Sequence, residues 1–166
     1  MNTYLLIIII ICALTITSGT IWHYRTKLYK ERSKLSIKES LELTNIPIIT
    51  LYNNDKPFNF LLDTGSSESH IRSDVANKLK GETQDYEYSY IGSSGGDAGA
   101  SGILKTELSH RSKSFRVSLI VNSNLNEAFD GVEKTRGVHI DGLLGNDFFK
   151  RHRYILDFVE LVAYYK

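Results

Sequence analysis

The chain has a single cysteine, Cys12, in 166 residues. One thiol excludes an intramolecular disulfide and any cysteine-based metal cluster. The five histidines, His23, His70, His110, His139 and His152, are scattered without ligand-like spacing, which argues against a zinc site. Excess charge is also missing: 20 Lys and Arg against 19 Asp and Glu leave a net +1, without the basic field that nucleic-acid binding needs. The expectation is therefore no metal, no cofactor and no nucleic-acid partner. There is no long internal repeat, and Asp-Thr-Gly occurs once, at Asp63-Thr64-Gly65.

Charge is absent altogether from Tyr4 to Trp22, where Leu5 to Ile11 is purely aliphatic. About 19 residues at ~1.5 Å each would span ~28 Å as a helix, close to the hydrocarbon thickness of a bilayer. Tyr4 and Trp22 bracket the run as interfacial aromatics do. The spacing predicts a transmembrane anchor over 1–22, in preference to a cleaved signal peptide, since Met1-Asn2-Thr3 carries no Lys or Arg. Arg25, Lys27, Lys30, Arg32 and Lys34 follow the run, so the positive-inside rule predicts a single-pass protein with its C-terminal part in the cytoplasm. Residues 23–42 read as a charged stalk, and the folded domain is expected over 43–166, beginning near Leu43.

That domain reads as all-β. Ile46 to Tyr52 and Phe58 to Leu62 are strand-like, with turn chemistry at Asn53-Asn54-Asp55-Lys56 between them. Ser73 to Lys80 suits a short helix. Tyr86, Tyr88 and Tyr90 alternate with polar residues. Ile103 to Leu108 and Phe115 to Val121 are further strands, the latter with Phe115, Val117, Leu119 and Val121 on one buried face. The polar stretch Asn122 to Gly137 reads as a surface loop. Ile140 to Leu144 reads as an apolar strand, with a short helix opening at Asn146, and Tyr154 to Phe158 with Leu161 to Tyr165 as a terminal hairpin. Many short strands with turn punctuation predict a small barrel or sandwich.

The chemistry concentrates at Asp63. It ends the apolar run Phe58-Asn59-Phe60-Leu61-Leu62 and opens Asp63-Thr64-Gly65-Ser66-Ser67. Burying a carboxylate costs several kcal/mol unless it is hydrogen-bonded, shared or neutralised, and chains accept that cost most readily where the acid does chemistry. One such acid cannot serve as both acid and base, so a lone Asp-Thr-Gly points to a chain that pairs with itself. Taken alone, the tripeptide is equally consistent with a turn.

The order of these parts resembles a retropepsin-like, single-lobe aspartic protease over roughly residues 43–166. A hairpin delivers Phe60-Leu61-Leu62-Asp63-Thr64-Gly65, His70-Ile71 closes the following turn, a Gly-rich segment occupies the place of the flap, and Leu143-Leu144-Gly145-Asn146-Asp147 matches the apolar-apolar-Gly motif. The resemblance is to the bacterial members rather than to two-lobe enzymes. It implies a small closed acid-protease barrel with one short C-terminal helix, and a homodimer in which Asp63 contributes one catalytic carboxylate per chain. Thr64 would lock the two loops together and Gly65 would let the backbone approach substrate. Ser66 would either hydrogen-bond Asp63 or be an ordinary turn hydroxyl. Gly92, Gly95 and Gly96 would be flap residues closing on a peptide. Leu143, Leu144 and Gly145 would pack under the loop. Asp141, Asp147 and Asp157 are expected to be structural acids, and His70 a packed or surface imidazole.

The function so implied is an aspartic endopeptidase anchored at the membrane and acting on peptide or protein substrates. Two alternatives carry no catalysis: an inactive module of the same fold that binds peptides or dimerises, and a structural domain with accidental motifs.

Overall fold

The computed structural model describes residues 14–21, 35–91 and 97–165. The chain divides into two compact units, Met1–Ser33 and Lys34–Lys166.

In the first unit the described residues form a helix over 14–21. Thr17, Ser18 and Thr20 turn their hydroxyls back on the carbonyls of Leu14, Thr15 and Thr17. This overturns the expected single-pass membrane placement. Among the described residues no helix is long and apolar enough to cross a membrane. Eight helical residues at ~1.5 Å each reach only ~12 Å, against a hydrocarbon core of ~30 Å. Residues 1–13 and Trp22 of the expected anchor, and residues 23–34 of the stalk expected over 23–42, lie outside the described residues.

The second unit begins with β1 (Leu35–Ser36) and α1 (Lys38–Thr44), ahead of Leu43. Ile37 between them is fully buried, so these residues belong to the core. Then follow β2 (Ile48–Asn53), β3 (Lys56–Leu62), β4 (His70–Arg72), α2 (Ser73–Ala76), β5 (Gly81–Ile91), β6 (Asp97–His110), β7 (Lys113–Asn122), α3 (Asn124–Arg136), β8 (Gly142–Leu144), α4 (Asn146–His152), β9 (Tyr154–Asp157) and β10 (Val162–Tyr165).

The strands β2-β3-β8-β4-β7-β6-β5 lie side by side in that order, and Tyr52 of β2 also pairs with Ser109 of β6. That last pairing closes six strands into a barrel and leaves β5 as an outward extension. The expected closed β barrel is therefore present. The short helix expected from Ser73 and the short C-terminal helix expected from Asn146 are present as α2 and α4, while α1 and α3 are additional to that expectation. The termini of the unit make a separate antiparallel sheet, β1-β10-β9.

Hydrophobic alternation drives the closure. Leu51, Phe58, Phe60, Ile71, Leu104, Leu108, Phe115, Leu119 and Leu144 point inward to one core. Phe148 of α4 plugs one end of it, stacked on Tyr154 and tilted against Phe115 at 5.5 Å from each. A second cluster lies on the other face of the sheet, where Ile48, Ile140 and Leu143 meet Phe129 of α3.

That helix replaces the surface loop expected over Asn122 to Gly137. Leu125, Phe129 and Val132 recur at i, i+4 and i+7, which lays one apolar stripe on the sheet. The Asn122 side chain accepts from the Asn124 amide at its start. Gly137 ends it at φ 70°, with its amide bonded to the Glu133 carbonyl, a conformation that suits glycine.

Candidate functional site

Asp63 leaves the end of β3 where β3 runs parallel to β8, Leu61 beside Leu143 and Leu62 beside Leu144. Its amide donates to the Leu144 carbonyl at 3.0 Å, so the ladder continues one residue past the strand. The carboxylate is partly exposed, and its Oδ1 accepts the Gly65 amide at 2.9 Å. A second hydrogen bond, from the Ser66 amide to the Asp63 carbonyl, completes a tight turn. The carboxylate is therefore held by one local backbone donor, on a residue that stays partly exposed.

The start of α4 grips the rest of the loop. The Asn146 side chain donates to the Thr64 carbonyl at 2.9 Å, and the amides of Asn146 and Asp147 donate to the carbonyls of Ser66 and Ser67. Ser69, only 1% exposed, donates its hydroxyl to Asp147 Oδ1 at 2.6 Å and accepts the Gly145 amide at 3.0 Å. A Cβ on Gly145 would collide with the Glu68 carbonyl, so this close approach requires glycine. The apolar-apolar-Gly pattern is thus two core leucines followed by the one residue that admits the loop's backbone.

Thr64 and Gly65 lie exposed beside the carboxylate. Of the two readings for Ser66, the turn hydroxyl is the one observed: it donates to the Glu68 carbonyl at 2.7 Å and not to Asp63. Gly92, Gly95 and Gly96 lie outside the described residues, between Ile91 and Asp97, which are paired across the β5–β6 hairpin.

Asp141 is 8% exposed and engaged elsewhere. Its Oδ2 accepts the Asn59 amide at 2.7 Å, and its Oδ1 faces His139 Nε2 at 3.2 Å. The other nitrogen of His139 meets Glu133 of α3 at 2.7 Å. That hydrogen bond to Glu133, followed by the charges of Asp141 and Glu133, raises the imidazole above 6.5 against burial and the positive Arg72. Arg72 is buried between Asp74 and Asp130 at 2.7 and 2.8 Å. Its hydrogen bond to Asp74 holds that carboxyl below its usual range.

His70 is a buried imidazole in β4, 4% exposed. Burial pushes it below 6.5, while Asp147 and Asp63 pull in the opposite direction. Among the described residues no group of three or more His, Cys, Asp or Glu side chains is placed to hold a metal ion.

Asn146 and Asp147 belong to the second motif, and Asp147 is the structural acid expected of it; Ser69, which completes the hold on the loop, is the residue that reasoning from sequence passed over. Chemically, the arrangement presents one carboxylate at the mouth of a rigid turn, with no second acid of the same chain bonded to it among the described residues.

The family model for aspartyl proteases matches residues 49–148. No curated protein matches the chain. Among solved structures, the EIAV protease complexed with the inhibitor HBY-793 is 22% identical with a TM-score of 0.46, covering 64% of this chain and 86% of that one. The retroviral protease-like domain of Ddi1 from Leishmania major is 13% identical at 0.48, covering 69% and 82%. A retropepsin-like aspartic protease from Rickettsia conorii is 17% identical at 0.47, covering 79% and 87%. The resemblance read from the two motifs is borne out by the family match, which takes in both of them and more than half of the chain: this protein belongs to the aspartyl protease family.

Proposed function

We propose that the chain is an aspartic endopeptidase whose working site is a dyad of two Asp63 carboxylates, one from each chain of a homodimer. The observation that carries this reading is the held, partly exposed Asp63 on a loop locked to α4. Binding a peptide does not require a carboxylate fixed in this way; acid–base chemistry does. A single Asp-Thr-Gly supplies only half of what the chemistry needs, so the second half comes from a second copy.

Two carboxylates a few Å apart cannot both ionise and share one proton. The ionised member takes a proton from a water held between them as the water oxygen bonds to the scissile carbonyl carbon. The protonated member donates a hydrogen bond to the carbonyl oxygen as it gains negative charge. Collapse of the tetrahedral intermediate breaks the C–N bond, with the proton passing to the departing amine. Thr64 supports the contact between the two loops, and Gly65 and Ser66 line the approach of the peptide backbone. Gly92, Gly95 and Gly96 serve a flap that excludes water.

The test is cleavage of a mixed peptide library from acid to neutral pH by wild type and Asp63→Asn, at concentrations that populate a dimer. The expected loss in the variant is about a thousandfold or more, with folding kept. Equal cleavage by both would overturn the reading. Silence from both, with a folded dimer, would favour a peptide-binding module of the same fold.

A further inference from the structure

Four strands set a row of side chains beside the Asp63 loop. Leu61 of β3 is in register with Leu143 of β8, Leu143 with His70 of β4, and His70 with Ile120 of β7. Residues in register across neighbouring strands project to one face. Asp63 follows Leu61 by two residues and remains tied to β8 through the Leu144 carbonyl. On the other side of His70, its chain neighbour Ser69 bonds Asp147. A buried imidazole therefore stands in the wall between two acid-bearing segments, where its companions in the row, Leu143 and Ile120, are apolar. The charged groups that act on it are Asp147 of α4 and Asp63 of the loop.

We propose that His70 is a positioning residue for the Asp63 site: its imidazole is electrostatically coupled to the Asp63 carboxylate, and the proton it gains at acid pH supports the charged carboxylate and carries cleavage toward lower pH. In so dry a wall a charge interacts more strongly than in water. Its neutral form at higher pH is consistent with its burial. The coupling is proposed independently of the peptidase reading; its consequence for cleavage rests on that reading.

Coupling is reciprocal, which gives a test independent of activity. Histidine resonances of the full chain are titrated by NMR in wild type and Asp63→Asn, with His70 identified by the signal missing from His70→Gln. Removing the Asp63 charge is expected to move the His70 midpoint down by about half a unit; the same midpoint in both proteins overturns the proposal. In the kinetic arm, the acid limb of kcat/KM for His70→Gln is expected to shift up by about half a unit, about a threefold loss on the acid side relative to the plateau. An unmoved limb in a folded variant also overturns it. If wild type cleaves nothing, the peptidase reading fails and the NMR comparison still decides the coupling. If Asp63→Asn does not fold, the kinetic arm decides it.

Discussion

Ser69 shows how much of the site depends on one hydroxyl. It is buried, donates to Asp147 and accepts the Gly145 amide, so it joins the exit of the Asp63 loop to the start of α4. Ser69→Ala would leave the Gly145 amide unsatisfied and take a donor from a carboxylate. The expected destabilisation is about 1–3 kcal/mol, read from denaturant unfolding, together with a fall in kcat larger than any change in KM. A neutral substitution would mean that the backbone bonds from Asn146 and Asp147 hold the loop without it. Asp63-Thr64-Gly65 and Leu143-Leu144-Gly145 were legible as motifs because each is contiguous. Their clasp was not: Ser69 with Asp147 and Asn146 with Thr64 join residues 78 and 82 apart in the chain. No local pattern announces such pairs, and Asp147 alone reads as an ordinary helix-start acid.

Among the elements, α3 departs furthest from what composition suggests. Asn122, Asn124, Asn126 and Gly131 argue for a loop, yet Leu125, Phe129 and Val132 form a stripe that finds cover on Ile48, Ile140 and Leu143. Tertiary burial overrides weak propensity here. Phe129→Ala is expected to cost about 3–5 kcal/mol in unfolding experiments, and the exposed Glu127→Ala less than about 0.5 kcal/mol. By contrast, β7 was legible because its inward residues alternate, although Ile120 is buried as well, at 7% exposure, where the strand enters between β4 and β6.

The same helix carries a pH-dependent tie. His139 faces Glu133 through one nitrogen and Asp141 through the other, with Arg72 opposing its charge. The protonated ring can donate to both carboxylates; the neutral ring has one N–H and can donate to only one. Because the folded imidazole is raised above 6.5, its contribution is complete below that value and is lost as pH rises through the raised folded value. The ring is 44% exposed, so solvent screening holds the effect to about 1 kcal/mol or less. Melting temperatures of wild type and His139→Gln are expected to differ most below about pH 6 and to converge on the alkaline side. A gap that widens with rising pH would refute this tie.

At the largest scale, the unit Lys34–Lys166 is a closed ring of six strands with one thin seam. Tyr52 and Ser109 pair across it, and the buried Asn53 side chain reinforces it by reaching Thr106 Oγ1 and the carbonyls of Lys80 and Glu107. The density of short strands left a barrel and a sandwich open and only the family resemblance implied closure, while β5 standing outside the ring was not foreseeable, since strand order depends on pairings far apart in sequence. The ring presents one Asp63, and the proposed chemistry needs two. The most direct measurement is peptide cleavage by a fixed amount of wild-type chain, refolded together with increasing amounts of Asp63→Asn chain. If each site takes one Asp63 from each of two copies, mixed dimers are inactive, and an equal amount of variant lowers cleavage per wild-type chain to about half, falling further with excess. Cleavage that stays constant while the two chains demonstrably associate would contradict a shared site and place the whole chemistry within one chain.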